Sequence, residues 1–241
     1  MLELNTKIDR KALAERFRAE GRVQVPDVLT HDSAERLRAL LLQATPWQLV
    51  WQAGEDGTVE TIATRQLSAP EAQAKGAQAA AATDTAARAG QYAFRFASYP
   101  ILTAYLEGWD RGGPHETIIE GLNSPDVLEL VREVTGIAEL IKADAQATLF
   151  APNHFLGKHT DANKGQGWRI AYVLNLAPDD WHPDWGGYLQ FLDENGDITL
   201  GWRPRFNVLN LFAVPCAHSV SYVTPFAPPG RTAITGWFRD N

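Results

Sequence analysis

The hydrophobic rhythm of the chain changes near residue 143. Before that point apolar residues recur mostly at three- and four-residue spacings, which predicts helices with one buried stripe. Residues 8–17 read this way, with Gly21 as the stop. Residues 30–42 are the clearest amphipathic helix, capped by Thr30 or Asp32, and His31 at its start reads as an exposed residue of the capping region. Ser68-Ala69-Pro70-Glu71 has the form of a capping box with proline in the first turn, and opens an Ala-rich helix to about Ala89. With almost no large apolar side chains, that helix either packs closely through alanine methyls or serves as a lid on the substrate side. Short helices follow over 101–136, the last started by Ser124-Pro125-Asp126. Three alternating runs, 22–26, 47–51 and 92–96, predict strands among these helices.

From Ala143 onward, strand-like runs recur between Gly, Pro and Asn/Asp clusters: 146–150, 168–176, 188–192, 198–202, 206–212, 218–223 and 231–238. Many short strands with turn punctuation predict a sandwich or barrel, and helices first with strands last in one core make the fold α+β. No internal repeat and no long linker is present. Residues 1–241 therefore read as a single domain, with a mainly helical support region over 1–142 and a β core over 143–241.

Composition narrows the classes. The 241 residues are 45% hydrophobic and 10% aromatic, which fits a globular chain. A net charge of −7 without a basic block excludes a nucleic-acid footprint. A single cysteine, Cys216, excludes an internal disulfide, fits a reducing compartment, and reads as a small buried hydrophobe. The N-terminus lacks the apolar core of a signal peptide, and no run of 18 apolar residues exists. The expectation is a soluble cytoplasmic protein without a membrane or nucleic-acid partner. Nothing in the sequence sets its oligomeric state.

The chemistry centres on His159-Thr160-Asp161. In a strand, residues i and i+2 share a face, so an imidazole and a carboxylate can enter one cavity, and both ligate borderline divalent ions. The chain has two His-x-Asp pairs where chance from six His and 15 Asp gives about 0.4, so one is incidental. His182-Pro183-Asp184 lies among turn residues, and Pro183 cannot donate to a strand ladder, so that pair reads as loop. His159 and Asp161 follow an apolar run and precede a polar turn over residues 162–167. His218, in Cys216-Ala217-His218, offers a second imidazole, and Arg231 heads the last strand. Two His and one carboxylate on one face of an ion match the facial triad of non-haem Fe(II) oxygenases.

Three segments, Leu156 to Asp161, Trp168 through Leu189 with Gly186-Gly187, and His218 through Phe238, together resemble the iron(II)/2-oxoglutarate-dependent dioxygenases. The prolyl-hydroxylase branch is the nearest likeness. The ending Arg231-Thr232-Ala233-Ile234-Thr235-Gly236-Trp237-Phe238 is similar to the branch that hydroxylates a prolyl residue in a ribosomal protein. The likeness covers roughly residues 145–239. It implies a double-stranded β-helix (jelly roll) braced by the N-terminal helices, Fe(II) held by His159, Asp161 and His218, and 2-oxoglutarate as co-substrate held by Arg231. It further implies O2 as oxidant, ascorbate as reductant, and succinate and CO2 as products. Related halogenases lack the carboxylate, so Asp161 points to hydroxylation.

Arg231 follows His218 by 13 residues (231 − 218), farther than in many prolyl hydroxylases, so residues 226–230 read as an inserted turn. Thr232, Thr235 and Arg239 are weaker substitutes for its role. Two co-substrate tyrosines usual in the branch are replaced: Phe150 stands at the first place, and Asn175, with Tyr172 three residues earlier, at the second. Asn can still donate to a carboxylate. His154 is a candidate for the cavity wall, although period-two counting puts it opposite His159. Trp168, Trp202 and Trp237 read as core or loop anchors; Trp181 and Trp185 could also flank a peptide or proline ring.

The leading expectation is hydroxylation of a prolyl or similar residue in a protein or peptide. The alternatives are hydroxylation of a free amino acid or small metabolite, with Arg169 or Arg203 as the charged anchor, and a cupin-like metal-binding protein without turnover.

Overall fold

The computed structural model of the protein describes residues 2–161 and 165–241. Its elements in chain order are α1 (Arg10–Glu20), β1 (Arg22–Pro26), α2 (His31–Gln43), β2 (Gln48–Ala53), β3 (Glu60–Ala63), α3 (Pro70–Arg88), β4 (Ala93–Tyr99), α4 (Ile101–Glu107), α5 (Glu116–Leu122), α6 (Pro125–Thr135), β5 (Lys142–Ala143) and β6 (Gln146–Phe150). Then come β7 (Phe155–His159), β8 (Trp168–Leu176), β9 (Leu189–Leu192), β10 (Ile198–Trp202), β11 (Phe206–Ala213), β12 (His218–Val220) and β13 (Arg231–Arg239). Of the polar turn expected over residues 162–167, Ala162, Asn163 and Lys164 lie outside the described residues.

The caps explain several boundaries. The Asp9 carboxylate accepts from the Ala12 N–H, the Thr30 hydroxyl from the Ser33 N–H, and the Ser124 hydroxyl from the Val127 N–H. Gly21 ends α1 in the left-handed conformation. The capping box expected at Ser68 does not form. Ala69 is the N-cap of α3, and the Ser68 hydroxyl turns back to the Arg65 carbonyl in a short 3-10 turn. The strand expected over 218–223 is a regular ladder only to Val220; beyond it the Ser221 N–H still donates to Tyr188 O, and Val223 exchanges bonds with Asn153 and His154 outside the ladder.

The strands form one curled antiparallel sheet in the order β1-β11-β8-β13-β6-β4-β7-β12-β9-β10. With the helices packed on one face, this is a jelly-roll double-stranded β-helix. The N-terminal half does more than brace it. β1 forms an edge against β11, and β4 spans the corner between β6 and β7, pairing Ala97–Tyr99 with β6 and Phe94–Arg95 with β7. Alternation predicts both strands, at 22–26 and 92–96, but not their partners, which lie far along the chain.

Strand alternation divides the chemistry between two faces. On β8 and β13, Ile170, Tyr172, Leu174, Leu176, Ile234 and Phe238 face outward into the main core. There they meet Phe17, Leu37, Leu41, Ile118, Leu130 and Val131 from the helices. The intervening residues, among them Ala171, Val173, Arg231 and Thr235, face inward.

The Ala-rich helix α3 is packed rather than poised as a lid. Ala72 and Ala79 sit against Trp51 and Ile62, where small side chains allow close approach. Buried Arg95 fastens the helix to the sheet: its Nε donates to the Asn153 carbonyl at 2.7 Å, and Nη1 lies 3.0 Å from Ala80 O, 2.7 Å from Thr83 Oγ1 and 2.6 Å from Asp84 Oδ1. Replacing Arg95 by Met keeps apolar bulk and removes these bonds, at a cost of about 2–4 kcal/mol. Hydrogen exchange by mass spectrometry is expected to show residues 70–88 losing protection first in Arg95→Met; unchanged exchange in α3 would refute this role.

Candidate active site

His159 is the last residue of β7, and β12 pairs with it so that His218 stands directly opposite. Asp161 lies two residues on, past the strand's end, so the turn rather than strand periodicity returns its carboxylate between the imidazoles. His159 Nε2 is 3.6 Å from Asp161 Oδ1, and His218 Nε2 is 3.6 Å from Asp161 Oδ2. The two rings are 4.2 Å apart. One donor atom from each residue lies within 4.8 Å of the others, and among the described residues this is the one such group of three or more His, Cys, Asp or Glu. Two atoms each about 2.1 Å from a common ion are separated by about 3.0 Å at a right angle and about 3.6 Å at 120°. The donor set fits a divalent ion such as Fe(II).

Backbone carbonyls orient both imidazoles. His159 Nδ1 is 3.0 Å from Gly157 O, and His218 Nδ1 is 2.8 Å from Cys216 O. A carbonyl only accepts, so each Nδ1 carries the proton and donates, leaving the Nε2 lone pair for the cavity. Burial is the largest influence on His218, with His159 adding to it against the pull of Asp161; its pKa falls to about 4, which keeps the ring neutral at physiological pH.

Arg231 lines the same cavity, of about 410 Å³, and is only 2% exposed. Its guanidinium lies 4.5 Å from the centroid of the Phe150 ring, its Nε has no hydrogen-bond partner, and no carboxylate pairs with it among the described residues. Burial without a counter-charge pushes its pKa down to about 9, still leaving it cationic at neutral pH. A buried, unpaired guanidinium is costly in the free protein and offers a fork of donors to a carboxylate. Gly186 and Gly187 let the preceding loop press against this place. Both have positive φ, and a Cβ on Gly187 would stand 2.8 Å from Arg231 Cδ.

Several expected residues lie elsewhere. Asn175 does not line the cavity: its amide donates to the Val208 carbonyl of β11 at 3.3 Å. Tyr172 borders the cavity, but its side chain belongs to the outer core and its hydroxyl donates to the Asp144 carbonyl at 2.8 Å. Phe150 does line the cavity, and there it offers a ring face and no hydrogen bond. Thr232 turns outward to Leu176 O, and Arg239 engages Gln166 O; only Thr235 of the proposed substitutes faces the cavity.

The remaining candidates serve the scaffold. Trp181 is core, donating to Gly186 O, with Trp185 packed beside it, so neither flanks the cavity. Arg169 pairs with Asp240 at 2.6 Å and Arg203 donates to Trp181 O, so neither anchors a ligand there. His154 turns the corner between β6 and β7, its Nδ1 accepting from the Ala151 N–H. Burial there drops its pKa to about 4. His182 and Asp184 form the expected exposed loop pair.

Other wall residues are not assigned to the cavity by the sequence, in which Trp168 and Trp237 read as core or loop anchors. Tyr92 packs on the His159 ring at 6.2 Å, and burial, aided by Asp161, pushes its phenol up to about 12. Trp168 and Trp237 stack face to face at 3.9 Å, and Gln146 faces the cavity from β6. Period-two counting from Phe150 to Gln146 could have found the last.

The comparisons with known proteins agree with this geometry. Residues 145–239 match the family model described as 2OG-Fe(II) oxygenase superfamily. No curated protein matches the chain in sequence. Among solved structures, it is similar to an oxidoreductase of the 2OG-Fe(II) oxygenase family from Burkholderia pseudomallei (TM-score 0.59, 17% identity, 100% of this chain and 97% of that one). It is also similar to a Pseudomonas putida prolyl-4-hydroxylase (0.55, 16%, 96% and 99%). A third is the Trichoplax adhaerens prolyl hydroxylase solved with a peptide fragment of hypoxia inducible factor (0.56, 15%, 96% and 89%). Identities this low carry the fold and nothing finer. Among the described residues, no helix is long and apolar enough to cross a membrane. Residues 145–239 are thus similar to the 2OG-Fe(II) oxygenase superfamily, and the chain shares the fold of the solved structures.

Proposed function

We propose that the protein is an Fe(II)- and 2-oxoglutarate-dependent hydroxylase in which His159, Asp161 and His218 bind the iron and Arg231 binds the distal carboxylate of 2-oxoglutarate. One observation carries the reading: three convergent ligand side chains share a cavity with a buried guanidinium that has no counter-ion among the described residues. Bound iron, with the 2-oxo acid and O2, would supply oxidative decarboxylation to succinate and CO2 coupled to oxygenation of a C–H bond. The chain supplies everything else. Gly157 and Cys216 hold the imidazole tautomers through their carbonyls, and Arg231 fixes one end of the co-substrate. The aromatic wall of Phe94, Phe96, Phe150 and Phe212 excludes water from the reacting centre.

The substrate in this reading is a prolyl residue of a protein or peptide. The likeness of the final strand and the prolyl hydroxylases among the structural neighbours support it. Hydroxylation of a free amino acid loses its proposed anchors, since Arg169 and Arg203 point elsewhere. We carry the whole chain as one catalytic unit in a reducing, cytoplasmic setting, with ascorbate as reductant.

Succinate formation from 2-oxoglutarate with Fe(II) and air tests the reaction. His159→Ala and Asp161→Ala are each expected to abolish it, and a fully active Asp161→Ala enzyme would refute the ligand assignment. Metal bound without any succinate, whatever peptide is offered, would favour the non-catalytic alternative. Anaerobic Fe(II) plus 2-oxoglutarate is expected to give a weak visible charge-transfer band in the native protein, and Arg231→Leu to raise the KM for 2-oxoglutarate about 100-fold.

Gly187→Ala should act on the same contact from behind. The new methyl displaces the Arg231 stem and strains a position at φ +70°. We expect about 1–3 kcal/mol lost from unfolding stability, with weaker 2-oxoglutarate binding by calorimetry. A variant matching the native protein in both would show that the loop yields freely.

A further inference from the structure

The cavity holds polar groups that the proposed iron and co-substrate contacts do not use. Gln146 on β6 and Thr235 on β13 are cross-strand partners, and both line the cavity. Facing residues on antiparallel strands hold their Cβ atoms about 4.5–5.5 Å apart, so a carboxamide and a hydroxyl stand side by side. Neither side chain has a hydrogen-bond partner among the described residues, whereas the neighbouring Thr148 hydroxyl is turned to Ala233 O at 3.4 Å. Two residues beyond Thr235, Trp237 stacks flat on Trp168 and continues the wall with an apolar face.

Charge is equally informative. Arg231 is the one Lys or Arg among the cavity's described lining residues, and Asp161 the one carboxylate. With Arg231 committed to the co-substrate and Asp161 to the metal, no described lining residue is left to neutralise the ammonium or carboxylate of a zwitterion. An unpaired ion entering such a site forfeits its hydration without compensation. A neutral amide needs one acceptor and one donor, and a glutamine carboxamide beside a threonine hydroxyl supplies both.

We propose that Gln146 and Thr235 form a specificity-determining pair that hydrogen-bonds an uncharged amide of the substrate, so that the site takes a residue within a polypeptide, or another capped amide, and rejects the free amino acid. The proposal deepens the oxygenase reading and rests on it for the assignment of Arg231 to the co-substrate.

The probes are N-acetyl-L-prolinamide, with both ends blocked, and zwitterionic L-proline. Binding is measured by saturation-transfer NMR in the full chain with 2-oxoglutarate, both metal-free and loaded with redox-inert zinc. The capped amide is expected to bind and L-proline not to bind. Gln146→Leu should weaken the capped amide about tenfold, and Gln146→Asn should recover part of the loss. Native circular dichroism in both variants separates a lost contact from a lost fold. No binding of the capped amide, equal binding of L-proline, or unchanged affinity in Gln146→Leu would each overturn the pair. Iron-dependent succinate formation by the native protein is read separately. Capped amide bound without succinate would sink the oxygenase reading and leave the pair standing. Succinate formed with Gln146→Leu neutral would do the reverse.

Discussion

β12 lies against β7 in the register that sets His218 opposite His159, and the approach of the two imidazoles follows from that pairing. A strand alternates its faces with period two, so a slip of one residue would send one imidazole to the outer surface. The register shifts between His218 and Val220, where the ladder takes three steps on β7 for two on β12. That irregularity lets Leu156 and His159 both line the cavity although they are three residues apart. Asp161 then needs only the turn beyond β7 to reach both rings.

The same alternation separates stability from chemistry. The outward residues of β8 and β13 bury against the helices in the largest core cluster. The inward residues include an unpaired guanidinium and a pair of unpartnered polar side chains, which contribute little or negatively to the stability of the free chain. An apolar outer face thus supports a costly inner one, and the helices matter to the site because they hold that outer face in place. Arg95 serves differently: its buried guanidinium has its partners supplied by α3 and the turn at Asn153, so its charge stabilises structure where that of Arg231 awaits a ligand.

Much of this was legible along the chain because the signals are local. Thr30 and Ser124 cap where their side chains reach the first turn, and the runs at 146–150 and 198–202 match their strands residue for residue. The misreadings share a cause. Ser68 has the right neighbours for a cap, yet its hydroxyl finds Arg65 O in a preceding 3-10 turn. Asn175 lies at the inward phase of β8, yet its amide is taken by the Val208 carbonyl of a strand some thirty residues away.

The sequence by itself determined the α+β class and the strand-rich C-terminal half, because period and turn chemistry are written in adjacent residues, and it named His159, Asp161, His218 and Arg231 as candidates by ligand type and by resemblance. Only the tertiary structure decided that β4 spans the β6–β7 corner, that Arg231 is left without a counter-ion, and that Gln146 and Thr235 stand together over the cavity. Those outcomes depend on which backbone and side-chain groups remain unclaimed after distant strands have paired, and no stretch of chain carries that information before the pairing occurs.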